Sequence, residues 1–220
     1  MSARLQVAVL GAIALFARGA CAQDSAAFSG ADRQTSAALT RIVQSAVARG
    51  LPASHIVTKV QFALVVHTPP ARILETAQAV SDRLDAARGA IASDTLPADI
   101  VAGEEALSFK IPKGILTRIH DAAPNRPIAV PIGVLTQLVA SKVPAERAGQ
   151  IVTDLMRRGA TPAQLVALGN DVNADVQRGA KGGESADIRY RGLLTPLLAP
   201  GGSSAADVAA PIAASGPKKP

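Results

Sequence analysis

Three polar residues at alternate positions are the first candidates for chemistry. Asp171, Asn173 and Asp175 lie within "GNDVNADVQRG", and an EF-hand loop begins its calcium ligands with this spacing. That loop also needs glycine at its sixth position and glutamate at its twelfth, which here are Val176 and Gly182. At ~100° per residue, Asp171 and Asn173 would point about 160° apart on a helix. We therefore interpret the segment as the polar face of a helix and assign no metal ligands to it.

The three histidines are the next candidates, because a catalytic base or a metal ligand is most often an imidazole. His55 begins one predicted helix and His67 follows its end. Roughly 18 Å of helix separates them, so they cannot share a metal ion through that helix. His120 lies near the C-terminus of another predicted helix, and the sequence contains no HExxH pair. The sequence predicts structural roles for all three.

Adjacent carboxylates at Glu104 and Glu105 suggest the acid–base chemistry of glycosidases. Neighbouring residues on a helix point ~100° apart, so this pair cannot flank one substrate atom. A second carboxylate, such as Glu75 or Asp121, would have to come from elsewhere in the fold. The sequence favours a solvated face for both glutamates, and an enzyme that acts through one of them is the alternative.

Motifs for nucleophilic catalysis and phosphate binding are missing. The sequence contains no G-x-S-x-G elbow. The glycine-rich stretch "RGAKGGES" (178–185) lacks both Gly-Lys-Ser/Thr and a preceding strand, so we interpret it as a linker. The sequence therefore assigns no catalytic, cofactor-binding or metal-binding residue and favours a protein that is not an enzyme.

The N-terminus has the pattern of a secretory signal peptide. A basic start is followed by the apolar run 5–17 and by Ala20-Cys21-Ala22, which predicts cleavage after Ala22. The run is shorter than the ~20 residues that span a bilayer. Processing as a lipoprotein before Cys21 is an alternative, which Arg18 opposes because such signals want an aliphatic residue there. We expect an exported protein, periplasmic or secreted, with no membrane span.

Composition narrows the range of partners. The formal net charge is +6, and cleavage after Ala22 would lower it to +4 by removing two arginines. The remaining aromatic residues, Phe28, Phe62, Phe109 and Tyr190, are too scattered to form a stacking platform, so we expect no nucleic-acid partner. Cleavage also removes the only cysteine, which leaves stability to the core. The excess of arginine over lysine suggests a GC-rich bacterial genome.

Apolar periodicity indicates an all-α fold. The segment 55–66 is the best strand candidate, yet its apolar residues also have helical spacing. Prolines stand before most helical stripes, where a first helical turn tolerates them. Arginine followed by glycine, at Gly50, Gly89, Gly159 and Gly179, is typical of helix C-termini. The predicted helices cover 31–49, 53–66, 69–88, 97–108, 112–122, 128–141, 144–158 and 162–178, with a short one at about 185–195.

The sequence predicts one domain at 31–195, an irregular array or bundle of about eight helices. Residues 1–22 are the signal peptide, 23–30 a flexible N-terminus, and 196–220 a disordered tail rich in Ala, Pro, Gly and Ser. A faint internal echo relates "TPPARIL" (68–74) to "TPAQLV" (161–166), about 90 residues apart. Chance similarity in an alanine-rich chain is the alternative to an old duplication.

These observations favour a non-enzymatic binding or scaffold module of the bacterial envelope, with a protein or peptide as its partner. One alternative is a small hydrolase that acts on an envelope polymer through a carboxylate such as Glu104 or Glu105. A second alternative is a carrier of an apolar ligand in the bundle core. The sequence leaves the oligomeric state open and predicts no cofactor.

Overall fold

The computed structural model describes residues 28–91, 96–124 and 126–198. Within these ranges the chain forms nine α-helices and no β-strand. Helices α1 to α9 span Arg33–Ala48, Ala53–Val65, Pro70–Ile91, Pro97–Ser108, Lys113–Ala122, Ala129–Ala140, Ala145–Arg157, Pro162–Gln177 and Gly182–Leu198. The prediction of an all-α fold is thereby confirmed. None of the described helices is both long and apolar enough to cross a membrane.

The two ends of the chain are described only in part. The predicted signal peptide at 1–22 and the predicted tail from residue 199 onward lie outside the described residues. Of the predicted flexible N-terminus at 23–30, the structure describes residues 28–30, where the side chain of Phe28 is buried in the hydrophobic core of unit 1. Helix α9 continues to Leu198 and so extends three residues into the predicted tail.

The helices divide into two compact units. Unit 1 ends at Leu116 and unit 2 begins at Thr117, so that the boundary falls within α5. The core of unit 1 joins α1 to α4 through large side chains such as Leu39, Ile56 and Leu84. In unit 2, Leu135, Val152 and Leu165 are equally buried on α6, α7 and α8. The single domain at 31–195 stays a prediction.

Six of the helix–helix connections have the same length and geometry. Each holds four residues, and the second of them has a positive φ. The third residue donates its backbone N–H to the carbonyl five positions earlier, as Leu51 does to Ala46 (3.0 Å) and Val143 does to Leu138 (3.0 Å). This is the Schellman ending of a helix. The residues with positive φ are Gly50, His67, Lys110, Lys142, Gly159 and Gly179.

These connections reveal an internal structural repeat. α1 and α6 end 92 residues apart, at Ala48 and Ala140, and α2 and α7 keep this interval along their whole length. α3 and α8 start at the same interval, at Pro70 and Pro162. Buried positions coincide as well, with Leu51, Ile56, Val60, Ile73 and Val80 in unit 1 matching Val143, Ala148, Val152, Leu165 and Val172 in unit 2. The echo in the sequence therefore falls within three successive helices that recur, with matching buried positions, after 92 residues.

One predicted helix end is wrong. Gly89 was expected to stop α3, but the helix continues to Ile91. Ala87 and Ile91 pack against Gly103 of α4, where an added Cβ would come within 2.9 Å of each side chain. Glycine inside a helix costs about 1 kcal/mol relative to alanine, whereas complete burial of isoleucine contributes roughly 1.5–3 kcal/mol. Burial of Ile91 therefore outweighs the cost of continuing through Gly89.

Candidate functional site

A buried carboxylate joins three helices of unit 1. The side chain of Glu104, on α4, is 1% exposed. Its Oε2 lies 3.0 Å from Nε2 of His55 on α2, and its Oε1 accepts a hydrogen bond of 2.7 Å from Nε of Arg83 on α3. Both carboxylate oxygens are therefore engaged by groups from other helices.

This environment keeps Glu104 ionised. Burial opposes the charged form, but the hydrogen bonds from His55 and Arg83, together with the charge of Arg83, outweigh it and lower the pKa of Glu104. An ionised carboxylate only accepts hydrogen bonds, so Nε2 of His55 carries a hydrogen that it donates. A carboxyl group with a lowered pKa and two hydrogen-bonded oxygens is a poor general acid. Its role is better explained as a structural contact that joins three helices.

The predicted solvated face for the two adjacent glutamates is correct for Glu105 and wrong for Glu104. Glu105 is exposed, and its Oε1 lies 4.0 Å from Nζ of Lys59. Glu104 follows Gly103, which is packed against α3, and stands one helical turn after the buried Ile100. It therefore belongs to the buried face of α4, and Arg83 and His55 satisfy the charge that this face encloses.

The structure places the histidines where the sequence predicted them along the helices. His55 lies in the first turn of α2, and His67 has a positive φ in the connection after it. His120 lies in the last turn of α5. The sequence did not reveal that His55 reaches a buried carboxylate 49 positions away. Among the described residues, no group of three or more His, Cys, Asp or Glu side chains could hold a metal ion.

The acidic segment 171–175 lies on α8, as predicted. Arg189 of α9 binds both oxygens of Asp175, each at 2.8 Å, and its Nη1 lies 3.3 Å from Oδ2 of Asp171. Hydrogen bonds from Arg189 and from Ser185 hold the pKa of Asp175 far below its usual range. One arginine therefore neutralises the i, i+4 repulsion between Asp171 and Asp175, which share a face, whereas Asn173 is exposed on another.

Equivalent positions in the two units carry different residues, which make polar contacts with a following helix in both units. Arg147 stands 92 residues after His55 and connects α7 to α9 through Asp187, at 2.7 Å. Asp175 stands 92 residues after Arg83 and connects α8 to α9 through Arg189. In both units, therefore, polar side-chain contacts from two successive helices hold the helix that follows them. The charge at the position of Arg83 is reversed in unit 2.

An open groove lies between α1 and α3 of unit 1. Its volume is about 520 Å³. Ile42 and Leu74 form an apolar floor, since each packs against the core from one side and faces the groove from the other. The remaining lining residues are Ala38, Arg41 and Ser45 of α1 and Glu75 and Gln78 of α3.

The repeat shows how the same place is occupied in unit 2. Gln137 of α6 corresponds to Ser45, and Asn170 of α8 corresponds to Gln78. Nε2 of Gln137 donates to Oδ1 of Asn170 at 3.1 Å, and its side chain lies directly over Gly169. In unit 1, Gln78 instead donates to Asp82 on its own helix, at 2.8 Å. A side chain therefore bridges the two helices in unit 2, while the small Ser45 leaves the groove open in unit 1.

A second groove, of about 400 Å³, lies between α8 and α9 of unit 2. Asp171, Asp175 and Arg189 form its polar side, while Leu168 and Ile188 contribute to its apolar side. Its charged groups are already paired with one another.

Comparison of the chain with protein-family models, curated proteins and solved structures found no match.

Proposed function

We propose that the protein is an exported, non-enzymatic binding module of the bacterial envelope, whose α1–α3 groove receives an amphipathic segment of a partner protein. The observation that carries this proposal is the open apolar floor at Ile42 and Leu74. In unit 2 the corresponding place is bridged by Gln137 and Asn170. A groove that only one of two similar units leaves open is better suited to a partner than to the packing of the unit itself.

The walls of the groove indicate what kind of segment fits. Ala38 and Ser45 are small residues two helical turns apart on α1, so that a partner helix can approach closely between them. Arg41 on the rim is exposed, and its Nε makes a long hydrogen bond of 3.4 Å to the carbonyl of Ala37. We therefore expect the partner to place apolar side chains on the floor and a carboxylate opposite Arg41.

The two other functions considered from the sequence receive less support. A hydrolase built on Glu104 would need a carboxylate that substrate can reach, whereas Glu104 is enclosed and bonded to His55 and Arg83. Glu105 is accessible, and its contact is with Lys59. A carrier would enclose its apolar ligand, whereas the α1–α3 groove opens at the surface.

The test replaces Ser45 with the residue that occupies its position in unit 2. Ser45→Gln fills the groove with a side chain that α6 already carries, so the fold should be retained. Ser54→Gln, at an exposed position on α2, is the matched control. A partner recovered from envelope extract by the wild type and by Ser54→Gln, but not by Ser45→Gln, would support the proposal. Equal recovery by all three proteins, or no stable partner, would contradict it.

Export is tested separately, by determining the N-terminus of the protein recovered from the envelope. The proposal expects Gln23 as its first residue. A lipid-modified Cys21 would indicate anchoring as a lipoprotein, and a chain that retains Met1 in the cytoplasm would refute export.

A further inference from the structure

One end of unit 1 exposes an unusual set of large apolar side chains. Phe62 and Val65, on the last turns of α2, are 69% and 73% exposed. Val66 follows them in the connection to α3 and is 53% exposed, and Phe109, in the connection after α4, is 50% exposed. These residues lie at helix ends, outside the groove described above.

The two connections belong to the same end of unit 1. His55 and Lys59 of α2 contact Glu104 and Glu105 of α4, so that contacts advance in the same direction along both helices. α2 and α4 therefore run in the same general direction. Phe62 lies one turn beyond Lys59, and Phe109 lies one turn beyond Glu105. Both phenylalanines thus lie toward the same end.

This end is also basic. Three cationic side chains, Lys59, Arg72 and Lys110, lie on the same segments as the apolar residues, and the two carboxylates there, Glu75 and Glu105, each lie within 4.0 Å of one of the cations. A net positive charge remains. We call this surface the basic apolar end, and it consists of Phe62, Val65, Val66 and Phe109 with Lys59, Arg72 and Lys110.

We propose that the basic apolar end docks the protein on the surface of an anionic lipid bilayer. Exposed aromatic and aliphatic side chains enter the boundary between headgroups and acyl chains, and adjacent lysines attract anionic headgroups. A protein partner fits less well, because lysine is depleted in protein–protein interfaces. This inference is independent of the α1–α3 groove, and docking at the basic apolar end requires no membrane-spanning helix.

The test measures binding to sedimented vesicles. One set contains phosphatidylcholine with phosphatidylglycerol, and the other contains phosphatidylcholine alone. The chain from Gln23 onward is used, because it retains every described residue and lacks the apolar run 5–17, which would bind lipid by itself. We expect binding to the anionic vesicles, weak binding to the neutral ones, and loss of binding in 0.5 M salt, because salt screens exposed charges.

Two variants and one matched control identify the surface. Phe62→Ser combined with Val65→Ser should weaken partitioning about tenfold or more, because two large apolar side chains no longer enter the bilayer. Lys110→Ala should weaken it about fivefold, the contribution of one lysine near an anionic surface. Val47→Ser should change little. Val47 is 61% exposed but lies in the last turn of α1, next to the start of α2, and α2 is about 20 Å long.

Three results would overturn the proposal. The first is the absence of binding to anionic vesicles. The second is equal binding by the wild type and the Phe62→Ser/Val65→Ser variant, with helical circular dichroism retained. The third is sedimentation of the wild type as a dimer without lipid and of this variant as a monomer, which would assign the surface to contact between two copies of the chain.

Discussion

Replacing Glu104 with alanine removes the negative charge that the structure places between His55 and Arg83. Loss of one partner of a buried ion pair costs about 3–5 kcal/mol, because the remaining charge stays buried without compensation. The side chain of Arg83 is 32% exposed and can turn toward water. We therefore expect Glu104→Ala to lower the free energy of unfolding by about 3 kcal/mol, the low end of that range. Urea unfolding at pH 7, followed by circular dichroism at 222 nm, measures the change.

Two further variants separate charge from packing. Glu104→Gln keeps the shape and can still accept a hydrogen bond from Arg83, so it should cost roughly 1.5 kcal/mol, the increment of a hydrogen bond to a charged group. Glu105→Ala removes an exposed carboxylate next to Lys59 and should change stability by less than about 0.5 kcal/mol. A decrease in the free energy of unfolding of less than about 1 kcal/mol for Glu104→Ala would refute a stabilising role for the contacts of Glu104 with His55 and Arg83.

The pH dependence gives an independent check on Glu104. Its pKa is lower in the folded protein than the ordinary value of 4.5. A lowered pKa means that the ionised group stabilises the fold above pH 4.5 and that this contribution is lost as the pH falls through the folded pKa. The stability difference between the wild type and Glu104→Gln should therefore shrink between pH 5 and pH 3. A difference that stays constant or grows over this interval would contradict the lowered pKa.

Three other predictions concern unit 2. Lys142→Gly should stabilise the protein by about 1 kcal/mol, measured by urea unfolding, because lysine adopts a positive φ there at a cost that glycine avoids; destabilisation would show that the lysine side chain matters more than its backbone. Gly182→Ala should clearly lower the midpoint of thermal unfolding, because the added Cβ would come within 2.0 Å of the carbonyl oxygen of Ser141. Gly183→Ala is the control and should leave the midpoint nearly unchanged, because the nearest atom to its added Cβ lies at 3.9 Å. Asp175→Asn should destabilise the protein, because it weakens the ion pair between α8 and α9. The stability difference from the wild type should disappear only in strong acid, because the pKa of Asp175 is far below its usual range. Unfolding measured as a function of pH would contradict this if the difference disappeared at a higher pH.

Sequence pattern predicted the helices well because the connections between them are local structures. Pro52, Pro112 and Pro144 each end a four-residue connection, and a proline cannot continue the preceding helix. Gly89 misled the prediction because the burial of Ile91 depends on α4, which a local pattern does not include. His67, Lys110 and Lys142 adopt the conformation that glycine favours, and nothing in their residue types announces it.

The candidate sites were harder to predict because they depend on contacts between helices. His55, Arg83 and Glu104 lie on three helices, so no short motif contains them. One signal was present, since Glu104 stands one turn after Ile100 on the apolar side of α4. The open groove at Ser45 becomes meaningful only by comparison with Gln137, and the interval of 92 residues that relates them became clear from the helix ends.

The reversed charge at Arg83 and Asp175 has a consequence for how the chain assembles. A protein with two similar three-helix arrangements risks pairing a helix with the wrong repeat while it folds. If α4 packed on α8, Glu104 would face Asp175, and if α9 packed on α3, Arg189 would face Arg83. At the position shared by Arg83 and Asp175, like charges would meet in both mispaired forms, whereas opposite charges meet there in both native ones. We therefore expect the reversed charge at this position to disfavour the pairing of α4 with α8 and of α9 with α3 during folding.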